Sequence, residues 1–111
     1  MTRRIELGSD PAEEDIEINS DVLDFMRLKY ASMILGGLKE DSKKILLDNN
    51  FFTEEDSLRL ENLTTEFARR GLTYGNFFRI INAQNPKIIQ EIEKEMISKK
   101  TTIMQTANKF D

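Results

Sequence analysis

The chain has 111 residues, 32% of them charged and 39% hydrophobic, with a net charge of −4 and neither cysteine nor histidine. That length suits one domain, and the balance is too apolar for a fully disordered chain. The two missing residue types exclude a disulfide framework, thiolate chemistry, zinc held by cysteine and histidine, and a serine nucleophile activated by histidine.

Residues 1–19 read as an acidic, extended N-terminal arm. Gly8-Ser9-Asp10-Pro11 is a turn cluster, and Glu13, Glu14, Asp15 and Glu17 form an acid run interrupted by Ile16. So little apolar surface cannot offset the entropy of ordering the backbone. Residues 1–24 carry two basic and eight acidic side chains, whereas residues 25–111 carry fourteen basic and twelve acidic. Such asymmetry speaks about partners and not about fold. Glu13, Glu14, Asp15, Ile16, Glu17 and Ile18 interleave acids with aliphatic groups, a pattern that suits a basic groove with apolar pockets on a protein partner. The competing reading is a solubilising tail. Asp10, Glu13, Glu14 and Asp15 are close enough to hold a hard cation loosely, but the alternating acids, central glycine and distal glutamate of a calcium loop are missing. No metal and no cofactor is expected.

Residues 20–111 are expected to fold as a single all-α domain, a bundle of four to five helices. The first helix opens at Ser20 as cap, with Asp21 and Asp24 at the positive end of the dipole. Val22, Met26, Tyr30, Met33 and Ile34 recur at helical spacing, and Gly36-Gly37 ends the run. A second helix spans about Asp41 to Asp48, closed by Asn49-Asn50. The third has Thr53 and Asp56 at capping-box spacing, a stripe of Leu60, Leu63 and Phe67, Arg69 and Arg70 in its last turn, and Gly71 at its end. A fourth opens with Thr73 as its N-cap and carries Phe77, Phe78, Ile80 and Ile81. Asn85-Pro86 then caps a fifth, with Ile88, Ile89, Ile92, Met96 and Ile97 on one side and the pairs Glu91–Lys94 and Glu95–Lys99 on the other.

No glycine-rich phosphate loop is present, and carboxylates are the sole acid–base groups, so an enzyme is not expected. No apolar run approaches the roughly 18 residues of a membrane span, and the Met1–Glu6 start lacks the apolar stretch of a signal peptide. A cytoplasmic location is expected by exclusion.

Residues 59–82 resemble a DNA-binding helix-turn-helix: a helix, a glycine turn, and a second helix opening with Thr73-Tyr74-Gly75-Asn76. The resemblance implies Thr73, Tyr74, Asn76 and Arg79 as base readers and Arg69 and Arg70 as phosphate contacts. Phe67 stands where such motifs carry a small residue, and an acidic pI near 5.0 is unusual for a DNA-binding domain. The alternative gives Arg69 and Arg70 to the helix dipole and the apolar cluster to the core. On the last helix, Ile89, Ile92, Met96 and Ile103 form a stripe that either covers the core or supports a homo-oligomer.

These features combine into a small non-enzymatic regulatory or adaptor protein that binds a larger protein through its acidic arm and last helix. A helix-turn-helix transcriptional regulator is the alternative. A structural subunit of a larger assembly, such as a phage or secretion particle, is the third possibility.

Overall fold

Five α-helices and no strand make up residues 17–108, the part of the chain that the computed structural model describes. They are α1 (Ser20–Gly36), α2 (Glu40–Asp48), α3 (Glu54–Arg69), α4 (Tyr74–Gln84) and α5 (Pro86–Asn108). The all-α expectation is met. Glu13 to Ile16, and the last three residues, lie outside the described residues.

Local chemistry sets nearly every helix end. The first cap is Asn19 and not Ser20: the Asn19 Oδ1 accepts the Val22 N–H at 3.0 Å, and Ser20 is already helical. Asparagine is at least as good a cap as serine, and the expected cap is one residue off. At α3 the Thr53 N–H donates to Asp56 Oδ2 and the Asp56 N–H donates to Thr53 Oγ1, both at 3.0 Å, completing the box.

Two helices end in the same way. After α3, Gly71 takes φ +77°, the Leu72 N–H donates to the Phe67 carbonyl and the Gly71 N–H to Ala68, each at 2.9 Å. After α2, Asn50 takes φ +63°, with Phe51 bonded to the Leu46 carbonyl at 3.0 Å and Asn50 to Leu47 at 3.2 Å. Both are Schellman turns, and glycine and asparagine are the residues that enter the left-handed region most cheaply. Each turn is also apolar: Leu72 and Phe67 are buried in one cluster, Phe51 and Leu46 in another.

The core has two parts. The first joins Val22, Phe25 and Met26 of α1 with Leu63, Phe67, Leu72, Phe77, Ile81, Ile89 and Ile92. The second joins Ala31 and Leu35 with Leu46, Phe51 and Met96, flanked by Ile103 and Met104. The early halves of α1 and α5 thus meet in the first cluster and their late halves in the second, so the two helices run in the same direction. Packing against α3, α4 and α5 covers α1 from several directions.

This covering corrects the expected stripe. Val22 and Ala31 are nine residues apart, which puts them about 180° apart around a helix axis. Both are nevertheless buried, at 2% exposure each. Early in α1 one side faces α3 and α4; later, the opposite side faces Phe51. Met33 returns to within about 20° of Val22, but α3 and α4 no longer cover that side, and Met33 is 51% exposed.

Among the described residues no helix is long and apolar enough to cross a membrane.

Candidate functional site

Of the candidate protein-binding segment, Glu17 and Ile18 fall within the described residues. Glu17 is exposed, while Ile18 is half-buried and packs on the first cluster next to the Asn19 cap. Asp21 and Asp24, counted with the acidic segment by sequence, belong to α1: Arg59 of α3 reaches them at 2.8 and 3.3 Å. Arg27 sits 3.8 Å from Asp24 and 3.2 Å from Glu95 of α5. With the boundary at residue 19, two basic and six acidic residues precede it and fourteen of each follow. The whole net charge of the chain lies in those first nineteen residues, and the helical body is neutral.

The α3–α4 corner brings together all six residues of the helix-turn-helix resemblance. Thr73 and Asn76 are tied to each other: Asn76 Oδ1 accepts from the Thr73 N–H at 2.7 Å and from its hydroxyl at 2.9 Å, and the Asn76 N–H returns to Thr73 Oγ1 at 3.3 Å. This is a capping box built with asparagine. Tyr74 is half-buried, edge-on to Phe25 at 6.4 Å and beside Phe78 at 6.2 Å. Arg69, Arg70 and Arg79 are exposed. Arg69 pairs loosely with Glu66 at 3.9 Å, and the Arg70 guanidinium lies 5.9 Å from the centre of the Phe67 ring. The corner thus presents three exposed arginines, Arg70 beside the Phe67 ring, while Thr73 and Asn76 are occupied in starting α4.

The stripe on α5 turns inward. Ile89, Ile92 and Met96 are buried in the two clusters, and Ile103 and Met104 are half-buried beside the second. Ile97 departs from the expected stripe and is 47% exposed. The expected pairing of Glu95 with Lys99 also gives way: Glu95 binds Arg27, and Lys99 lies 5.7 Å above the Phe51 ring. Contacts between helices win because Arg27 and Phe51 face α5 where sequence spacing considers α5 alone.

A cleft of about 460 Å³ opens between α1, the start of α3 and α5, floored by Leu28, Ala31, Phe51, Phe52 and Met96. Its rim charges are largely satisfied by one another, through Arg27–Glu95, Arg27–Asp24 and Arg59–Asp24, with Asp56 engaged in the α3 cap. On the other side of the α1–α5 pair, burial raises the Tyr74 phenol above its ordinary pKa, helped by the charge of Glu93 and then by Tyr30. Burial followed by Glu93 also raises Tyr30. This Tyr30–Glu93–Tyr74 grouping joins three helices, and no sequence spacing announces it. Among the described residues no group of three or more acids is placed to hold a metal ion.

No protein-family model matches this chain, and no characterised protein or solved structure shows significant similarity to it.

Proposed function

We propose that this protein is a small regulatory or adaptor protein that binds a larger protein partner, with the acidic segment before α1 as its main contact. The observation that carries this reading is the segregation of charge: residues 1–19 hold the entire net charge of −4, and the body beyond them is neutral. Acids concentrated in one short stretch with Ile16 and Ile18 among them suit a basic, partly apolar surface. Directly after that stretch, Ile18 packs on the first cluster and Asn19 caps α1.

The test compares the full chain with residues 17–111, which keep both Ile18 and the Asn19 cap. Each is used to capture partners from native extract, with and without nuclease, across a salt series. The reading expects a protein partner that survives nuclease, is lost with residues 1–16, and weakens as salt rises. Equal capture by both forms overturns the role of the acidic segment.

The DNA-binding alternative is favoured by one observation, the three exposed arginines at the α3–α4 corner. It expects nuclease-sensitive DNA on the truncated form, with affinity falling steeply in salt and on Arg69→Ala or Arg79→Ala.

A further inference from the structure

A surface separate from the acidic segment is formed where α1 and α5 lie side by side. Glu95 pairs with Arg27 on one side of the α1–α5 seam; Glu93, two residues earlier and so about 160° round the helix, emerges on the other, where its charge reaches Tyr30 of α1 and Tyr74 of α4. Met33 follows Tyr30 by one turn, and Ile97 follows Glu93 by one turn. Because α1 and α5 run in the same direction, Met33 and Ile97 emerge on that same side, 51% and 47% exposed. Phe78, 36% exposed, lies against Tyr74 at the near end. Scattered exposed apolar residues are ordinary, but three on one side of the molecule call for an occupant.

The charges indicate which occupant. Glu93 and Lys100 bracket Ile97 and are seven residues apart, two turns or about 10.5 Å along the helix. Neither forms an ion pair among the described residues, whereas Glu95, on the opposite side, is held by Arg27. An acid and a base flanking an apolar centre make a self-complementary surface under one symmetry operation. A two-fold axis near Ile97 that sets two α5 helices antiparallel places each Glu93 opposite a Lys100. A parallel arrangement would set like charges against each other. Two-fold contacts between identical patches are the commonest mode of protein self-association.

We infer that the side of α5 presenting Glu93, Ile97 and Lys100, together with Met33 of α1, binds a second copy of this chain in an antiparallel two-fold dimer. The full chain is examined by sedimentation velocity from about 2 to about 200 µM, the range in which a small, partly polar interface is populated. The wild-type protein should pass from monomer to dimer within that range. Ile97→Asp, Glu93→Lys and Lys100→Glu should each raise the dimer Kd at least about tenfold, with circular dichroism showing the helices intact. The double swap Glu93→Lys with Lys100→Glu should bring Kd back to within about threefold of wild type. A wild-type protein that stays monomeric throughout overturns the proposal. So does a dimer indifferent to the three single changes, or a double swap that fails to rescue. A monomer that loses a foreign partner on Ile97→Asp also overturns it and gives this surface to that partner.

Discussion

The rings of Phe67 and Phe77 meet edge to face with their centroids 4.7 Å apart, locking α3 to α4 across the Gly71 turn. Phe25 of α1 touches both, at 5.2 Å from Phe67 and 5.8 Å from Phe77. Pairs of this kind add about 0.5–1.5 kcal/mol beyond the burial of their area. Phe77 is 1% exposed, so Phe77→Ala should remove about 3–5 kcal/mol of stability. Chemical denaturation followed by circular dichroism measures this, and a loss below about 1 kcal/mol would contradict the packing described.

Leu46 and Leu47 are sequence neighbours with opposite fates, 0% and 43% exposed. Leu46→Ala should cost about 2–5 kcal/mol, and Leu47→Ala should stay within about 0.5 kcal/mol of wild type. Equal effects would mean that α2 packs in a different rotation.

Gly71 has open space where a Cβ would sit, yet its φ of +77° is unfavourable for a residue such as alanine. Gly71→Ala should therefore cost about 1–2 kcal/mol through backbone strain alone. At Gly36, which also has open space and carries no such φ, the same change should not be penalised. Thermal melts of the two variants side by side test the contrast.

Thr73→Ala removes the hydroxyl that accepts the Asn76 N–H and should destabilise the fold by about 1 kcal/mol. If Thr73 acts only in capping, Thr73→Asp should recover most of that loss. A Thr73→Asp protein no more stable than Thr73→Ala would separate this residue from helix initiation.

Tyr74 is held above its ordinary pKa of 10.0 by burial, reinforced by Glu93 and Tyr30. The folded state thus binds the phenolic proton more tightly than the unfolded state does. Stability from this group is complete below about pH 10 and is lost as pH rises through the raised folded value. Tyr74→Phe should flatten that alkaline fall while leaving the behaviour near neutral pH unchanged. Denaturation midpoints between about pH 8 and pH 11 would show it.

Much of the helical framework was legible because its signals are local. The Thr53–Asp56 box, Gly71 after two arginines, Asn49-Asn50 and Asn85-Pro86 each act within one turn of chain, and the structure places helix ends at all of them. What the sequence concealed is how the helices share α1. A single apolar stripe was expected there, but α1 is covered from different directions along its length, so Ala31 and Leu35 went in and Met33 came out. Ile97 was misplaced for the same kind of reason, since α5 crosses from one cluster to the next. At the α3–α4 corner the Thr73 cap was legible, but its reciprocal bond with Asn76 was not: spacing alone does not tell a Thr–Asn capping box from a pair of base readers. The Tyr30–Glu93–Tyr74 grouping depends on three helices converging, which periodicity within one helix cannot show.

The split core should give the two ends of the molecule different opening rates. The second cluster relies on one short helix, α2, and on the Phe51 turn, whereas the first has α3, α4 and their aromatic triad. Because α1 and α5 pass through both, α2 can detach while those two stay anchored at their early halves. Amide exchange should then report a fast-opening unit of residues 40–52 and a slow one built on residues 60–92, so that the chain unfolds in steps and not as one block.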